Sequence, residues 1–541
     1  MRLGNFSCRL GPLNGKHAMR YWTAGVALAA CLLAAPAPAA TLRVALIGDA
    51  GTLDPHSQSV STTTQLLRQI YEPLVNRGPQ FQLEPGLAAS WSIVEPTRWR
   101  FKLRPGVTFQ DGQPLTSADV VFSLQRVTEK GSNYSNYVDS VVRVEAVDPL
   151  TVDVITSEPD PILVDKLTVI GIMSKAWCEA NGAITPQNAA QQQESATARQ
   201  TNGTGPFMLH SREPEVRTVL DRFPNWWGKT DGNVTEYVAI PIANNATRTA
   251  AFLSGQVDVL LDPPIQDIER IRERPDVKVL QGPETRTIAF VIDVGHDELA
   301  DSDVRGKNPF RDLRVRQALY QAIDMDAITA RILRGLATPA GLLVAPGVRG
   351  YDKALDVRLP YDPGKAKALL TDAGYPNGFG FTFDCSNNRY PGDAEMCTAI
   401  AAMWARIGVR AQLNAMPVQT YFPKVQRRES NMFLLGTSPP TLDAYYSIQI
   451  SLLSPGGRPG DGAWNLGGYK NQAIDDLAPK IRGELDEAKR IKLMQQAMLI
   501  ARDDVATIPL FYNQIAWAVR SNIEVSLRAD NQMEAKWVVV K

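Results

Sequence analysis

The side chains able to do chemistry are few and scattered. Four His occupy positions 17, 56, 210 and 296, with no HExxH or CxxC and no other metal-ligand spacing, so a His-rich metal site is not expected. Asp49 and Asp54 stand close enough in sequence to pair as acid and base, but both lie in the turn-rich run Gly48-Asp49-Ala50-Gly51-Thr52-Leu53-Asp54-Pro55, where Asp commonly serves as a turn former. There is no GxSxG, no SxxK with a companion KTG and no GxxxxGK[ST]. Gly203-Thr204-Gly205-Pro206 is Gly-rich, yet no GK[ST] follows and Pro206 removes a backbone donor that a phosphate cradle needs; a tight turn between strands is the better reading. Catalysis, which requires a nucleophile with its base, a metal or paired carboxylates in one site, has no positive support.

Cysteine usage points to export. Past residue 40 only Cys178, Cys385 and Cys397 remain, so at most one disulfide forms within the chain. Cys385 follows the alternating strand Phe379, Phe381, Phe383, and Cys397 falls in the first turns of the next helix. A bridge between them would staple the intervening loop and contribute about 3 kcal/mol by chain-entropy reasoning; two buried thiols are the alternative. The leader agrees. Arg20 precedes the short apolar run Ala24 to Ala35, and Ala37-Pro38-Ala39 fits a small-x-small cleavage pattern, so residues 1–40 read as a signal peptide. Met19 offers a second start, with residues 1–18 upstream of it. Leu28-Ala29-Ala30-Cys31 resembles a lipobox, but Leu32 and Leu33 continue the apolar run, which ranks a lipid anchor at Cys31 second. No later stretch is long and apolar enough to span a bilayer.

The elements that must position any site are legible in the patterning of 541 residues, 44% of them hydrophobic. That length accommodates roughly three or four units with large cores and excludes a disordered chain or a coiled coil. With 57 Lys+Arg against 57 Asp+Glu the formal net charge is zero, and no basic block marks a nucleic-acid partner. A strand at Leu42–Ile47 runs into the turn-rich loop; Thr64–Leu74 reads as helical; Trp99, Phe101 and Leu103 alternate as a strand face, with a hairpin at Asp111-Gly112. Thr116 and Asp119 have capping-box spacing before Val120-Val121-Phe122. Val142 to Ala146 and Val152 to Val154 form a second hairpin, so residues near 80–190 read as an inserted α+β subdomain. The Gln/Ala-rich stretch 187–200 reads as a surface loop or solvated helix. Helices are expected at Ala246–Ser254, Leu313–Ile323, Lys365–Ala373 and Ile491–Val505. Met396, Ile400, Met403, Trp404 and Ile407 make a core stripe between the strands at Phe379 and Val409, a βαβ unit with parallel pairing. The segments Ile508–Tyr512 and Ala516–Val519 suggest a final return as strands.

From about Thr41 to Lys541 the ordered motifs resemble the family 5 extracellular solute-binding proteins, of the dipeptide and oligopeptide type that serves ABC importers. They include Leu53-Asp54-Pro55, Tyr71-Glu72-Pro73-Leu74, Leu87-Ala88-Ala89-Ser90-Trp91, Phe101 to Gly112, Ala118 to Ser123, Gly203 to Phe207, Val315 to Leu319 and Lys367 to Pro376. The resemblance implies an α/β, two-lobed periplasmic-binding-protein fold (type II, cluster C-like) with the extra α+β subdomain inserted in lobe one. Lobe one would span 41–285 plus 511–541 and lobe two 286–510, closing on a peptide or other small-molecule ligand by hinge motion. It further implies a periplasmic, monomeric, non-enzymatic protein without cofactor or metal, delivering its ligand to permease subunits in the inner membrane. By family position Asp49 and Thr52 should line the cleft from lobe one. Peptide-binding relatives receive the ligand's amine on an Asp beside a Gly-Trp pair; here Thr437 replaces the Trp and Pro440 stands at the Asp position, leaving Asp443 as a substitute anchor or a loop cap. Trp464 and Asn465 match the family's Asn-containing cleft segment, and Arg389 offers a guanidinium for a ligand carboxylate or is a surface charge. Loss of the amine-anchoring Asp keeps an oligosaccharide, opine or metallophore as the rival ligand, and an exported hydrolase as the rival class.

Overall fold

The computed structural model of the protein describes residues 40–188, 195–387, 389–458 and 460–541. The expected signal peptide, with Cys31, lies outside the described residues, apart from Ala40, and so do positions 189–194 of the Gln/Ala-rich stretch. Among the described residues no helix is long and apolar enough to cross a membrane.

The framework is an 11-stranded mixed sheet. Its order is Arg410–Met416, Gly380–Ser386, Met432–Thr437, Val277–Ile292, Thr507–Arg520, Val259–Leu261, Ala40–Leu46, Val234–Pro241, Arg217–Arg222 and Phe207–Glu213, with Ala337–Pro339 added beside Thr507–Arg520. The βαβ unit takes the parallel pairing expected of it, Gly380↔Arg410 through Ser386↔Met416. Its connecting helix Asp393–Ala405 buries Met396, Ile400 and Trp404 against Phe381 and Phe383. Buried indole N–H groups need acceptors, and Trp404 Nε1 donates to the Leu319 carbonyl at 2.9 Å.

Two long strands tie the sheet together. Val277–Ile292 and Thr507–Arg520 pair antiparallel from Val277↔Arg520 to Val291↔Thr507, with a register break between Pro283 and Thr287. Pro283 cannot donate to a ladder, and the break releases Thr285 and Arg286 for other use. The final return is one continuous strand, because the polar pair in its middle finds polar partners: Asn513 donates to Glu284 at 2.5 Å and Gln514 to Thr338 Oγ1 at 3.5 Å.

A separate antiparallel sheet, ordered Ala88–Glu95, Arg98–Leu103, Thr151–Thr156, Val141–Asp148, carries its own apolar core beneath the helix Ser117–Arg126. Trp99, Phe101 and Leu103 face that core, and the Asp119 carboxylate accepts the Thr116 N–H at 2.9 Å. Two expectations need correction. The helix expected at Thr64–Leu74 runs Ser61–Leu67, because the Gln69 and Ile70 carbonyls turn away to accept the N–H groups of Phe207 and Gly205 at 3.0 and 2.8 Å. The approach is so close that a Cβ on Gly203 would stand 2.0 Å from the Ile70 oxygen, which explains the Gly-Thr-Gly run. The Gln/Ala-rich stretch is not wholly a surface element either: Gln187 and Thr197 are buried because both donate to the Asp54 carboxylate, at 3.0 and 2.9 Å.

Candidate functional site

The register break opens onto a cavity of about 640 Å³. Its walls come from distant parts of the chain: Ser59 to Glu72, Tyr134 and Tyr137, Thr285 and Arg286, Arg389 and Tyr390, Leu435 to Pro440, Tyr446, Trp464, and the C-terminal segment Asp530 to Lys536. Aromatic rings supply much of the lining. Trp464 packs edge-on to Phe422 with centroids 5.8 Å apart, which fixes the indole at the cavity wall. The Tyr390 hydroxyl accepts the Gly436 N–H at 2.8 Å, so the strand end Gly436-Thr437 and the loop carrying Arg389 hold each other.

Of the seven residues expected to meet ligand, Arg389, Thr437 and Trp464 line this cavity. The other four are not on its lining, and each has a local task. Asp49 accepts from Arg212 at 3.1 Å and from the Glu215 N–H at 2.9 Å, pinning the loop after the first strand to a neighbouring hairpin. Thr52 is buried, hydrogen-bonded to Gln187, and accepts the Asp54 N–H at 3.0 Å. Asn465 clamps its own loop, donating to the carbonyls of Leu453 and Tyr469 and accepting the Tyr469 N–H. Asp443 is fully buried at the N-terminus of the helix Ala444–Ser451. It accepts the Tyr445 N–H at 3.0 Å, two Arg490 N–H groups at 2.5 and 2.8 Å, and Arg349 at 3.3 Å. It is therefore a helix cap and ion-pair partner rather than an open anchor. Cys385 and Cys397, 12 residues apart, form a disulfide beneath the Arg389 loop, and Cys178 is a buried free thiol.

Several lining groups escaped sequence reasoning. Glu72 sits in the Tyr-Glu-Pro-Leu motif with one oxygen accepting Trp227 Nε1–H at 2.7 Å; burial pushes its carboxyl up to about 7, which Lys536 and the Trp227 bond offset only in part. Glu534 is buried too, but Lys536 and Arg528 outweigh that burial and hold it at about 2. Burial disfavours the Arg286 charge as well, and Glu284 at 2.9 Å, aided by Tyr390, more than restores it. The mixed charges of Arg528, Asp530, Glu534 and Lys536, two acids flanked by two bases, were the available signal for the C-terminal wall.

Beneath the cavity wall formed by Pro55 and Gly171 lies a second buried cluster. Arg126 grips Asp54 with two bonds at 2.8 and 2.5 Å and contacts His56 Nδ1 at 3.0 Å, while His56 Nε2 donates to the Gly171 carbonyl at 2.8 Å. Burial and the Arg126 charge push His56 down to about 4, so its ring is neutral at pH 7. The cluster explains Leu-Asp-Pro as a structural clip, with Asp54 saturated by donors and unable to act as a base. Among the described residues neither His nor Cys lines the cavity, whose volume and largely aromatic and polar walls are those of a small-molecule site. Among the described residues no group of three or more His, Cys, Asp or Glu could hold a metal.

Comparison with known proteins gives consistent relationships. The family model of bacterial extracellular solute-binding proteins, family 5 Middle, matches residues 82–458. The glutathione-binding protein GsiB of Escherichia coli K12 is 25% identical over 505 residues, covering 92% of this chain and 94% of that one. The periplasmic binding protein DppA of Helicobacter pylori, solved with the peptide STSA, superimposes with a TM-score of 0.76 at 22% identity, covering 93% of this chain and 98% of its own. The binding protein MoaA of A. tumefaciens R10, solved with mannopinic acid, has a TM-score of 0.76 at 25% identity, covering 93% of this chain and 100% of its own.

Proposed function

Because the chain belongs to the bacterial extracellular solute-binding proteins of family 5, we propose that it is the periplasmic capture component of an ABC importer. It takes up peptides or peptide-like solutes between two lobes and delivers them to inner-membrane permease subunits, acting as a monomer and without turnover. Export follows from the signal peptide read at residues 1–40. The lobes are 41–285 with 511–541, carrying the inserted subdomain at about 80–190, and 286–510. Arg389, Thr437 and Trp464 contact the solute from lobe two.

The observation that carries this reading is the cavity itself. Tyr71, Tyr134 and Gln532 on one side and Arg389, Thr437 and Trp464 on the other come from opposite sides of the two long strands and enclose about 640 Å³. That lies within the roughly 300–1,000 Å³ typical of small-molecule sites. Hinge closure is supported by ion pairs that join the same two portions outside the cavity: Glu158 with Arg458 and with Arg482 at 3.1 Å, and Asp165 with Arg349 at 3.4 Å. Small-angle scattering of ligand-stripped protein tests it directly. Saturating solute should contract the particle, and a radius of gyration unmoved by any bound solute would refute capture by closure.

A second reading, uptake of an opine rather than a peptide, is favoured by one observation. Asp443, the nearest substitute for the amine-anchoring Asp, is already committed to Arg490 and Arg349. Competition between peptides and opines for one site separates the two.

A further inference from the structure

One wall of the cavity is set by a carboxylate outside its lining. Arg389 and Tyr390, which both line the cavity, lie between the strand Gly380–Ser386 and the helix Asp393–Ala405. Their backbone N–H groups belong to neither element and need acceptors of their own. Asp393, the first residue of the helix and 2% exposed, supplies them. Its Oδ2 accepts the Arg389 N–H at 3.1 Å, the Tyr390 N–H at 3.2 Å and the Ser386 hydroxyl at 2.7 Å, while Oδ1 accepts the Ala394 N–H at 3.0 Å. The helix N-terminus favours a negative charge at that position. The bridge between Cys385 and Cys397 ties the strand end to the same helix, and so fixes the carboxylate against the strand. Neither Asp393 nor either cysteine lines the cavity.

Tyr390 passes this hold on. The strand Met432–Thr437 is paired with Gly380–Ser386 only at Asp384↔Phe433, and beyond that point the Gly436 N–H donates to the Tyr390 hydroxyl at 2.8 Å. The ring lies so close that a Cβ on Gly436 would stand 2.8 Å from it. Leu435, Gly436 and Thr437 line the cavity beside Arg389 and Tyr390, so one buried carboxylate governs a wall built from two segments. A wall ordered before the solute arrives spares the cost of ordering it on binding.

We propose that Asp393 is a positioning residue for solute capture: by accepting the N–H groups of Arg389 and Tyr390 it presets that segment, and through Tyr390 the strand end Gly436-Thr437, as one wall ready for the solute. This deepens the capture reading above and rests on it. Asp393 itself contacts no solute.

Two readouts on the ligand-stripped full-length mature protein test it. Hydrogen exchange followed by mass spectrometry over residues 432–440 reports the strand end, and calorimetric titration with trialanine, N-acetyl-trialanine and N-(1-carboxyethyl)alanine reports affinity. Asp393→Asn orphans no cation among these four partners, but it forfeits the charge that strengthens all four bonds and turns an NH2 group onto at least one of their donors. Exchange at the strand end should quicken at least about fivefold, and any probe that binds the wild type should bind at least about fivefold more weakly. Ile400→Val, in the core of the same helix, is the control: it lowers the melting temperature and should leave both readouts within about twofold of the wild type. If Asp393→Asn does not fold, Asp393→Glu, which keeps the charge but displaces it by one methylene, takes its place with the same expectations. The proposal is overturned if the Asp393 variant loses stability with both readouts unmoved, if exchange quickens without loss of affinity, if affinity falls with exchange unchanged, or if Ile400→Val moves both readouts as far. A wild type that binds none of the three probes leaves exchange to decide: a loosened strand end keeps Asp393 as the residue that positions it, and an unmoved one overturns the proposal. Capture itself is judged by the scattering contraction described above, so its failure and the failure of this proposal are distinguishable.

Discussion

Asp443→Asn separates a structural carboxylate from a ligand anchor. The substitution keeps an oxygen able to accept the Tyr445 N–H, so the cap of the helix Ala444–Ser451 survives. It removes the negative charge facing Arg490, whose side chain is only 3% exposed and donates twice to Asp443. Leaving a buried cation unpaired costs about 3–5 kcal/mol. With an unfolding entropy of about 2.1 cal/mol/K per residue, a cooperative unit of roughly 500 residues loses about 1 °C for each kcal/mol, so the melting temperature should fall by about 3–5 °C. Urea unfolding should show the same loss in free energy. Combining Asp443→Asn with Arg490→Met removes the orphaned cation and should recover roughly half the loss or more. Solute affinity, measured below the transition, should change less than about threefold, under 1 kcal/mol. A variant that melts with the wild type but binds solute about tenfold more weakly would refute this assignment and return Asp443 to the ligand.

Three further outcomes follow from the same geometry. Replacing Cys385 and Cys397 by Ser opens a loop closed over 12 residues and should cost about 3 kcal/mol in unfolding free energy; a variant as stable as the oxidised wild type would argue against the bridge. Glu72, with its carboxyl raised from an ordinary 4.5 to about 7 mainly by burial, holds a proton in the fold that the unfolded chain has lost, so it lowers stability as pH rises through that window, by up to about 3 kcal/mol. His56, lowered from 6.5 to about 4, slopes the opposite way, so the readout is a difference: Glu72→Gln should gain stability relative to wild type between about pH 5 and pH 7.5, and a flat difference would contradict it. Glu158→Gln breaks the pairs with Arg458 and Arg482; both are partly exposed, so solute affinity should weaken by up to about fivefold, and unchanged affinity and closure would show that these pairs do not hold the lobes together.

How much could be read from sequence depended on the range of the interaction. The alternating Phe379, Phe381 and Phe383, the stripe from Met396 to Ile407 and the helix expected at Lys365–Ala373 are local patterns, and the structure holds them: Asp362 accepts the Lys365 N–H at 2.8 Å, and Gly374 takes φ +90° past the last turn. The failures were non-local. Helical periodicity through Ile70 and Leu74 gave no sign that the Gln69 and Ile70 carbonyls are claimed by Gly205 and Phe207, far along the chain. Asp443 stood open as substitute anchor or loop cap, and what settles it is Arg490, 47 residues on. Thr437 and Trp464 could be placed near the cavity by family position and Arg389 by its charge, whereas Glu72 and Arg286 passed as motif and boundary because a register break and a buried Trp227 contact leave no mark in a single sequence.

The central claim, reversible solute capture without chemistry, is tested most directly by thermal unfolding of ligand-stripped protein against peptides, N-blocked peptides, opines, oligosaccharides and metal chelates, with each mixture analysed for products afterwards. One class should raise stability saturably, by about 2.7 kcal/mol at a hundred times its dissociation constant, and be recovered unaltered. No shift with any class, or a stabilising solute recovered hydrolysed, would contradict it.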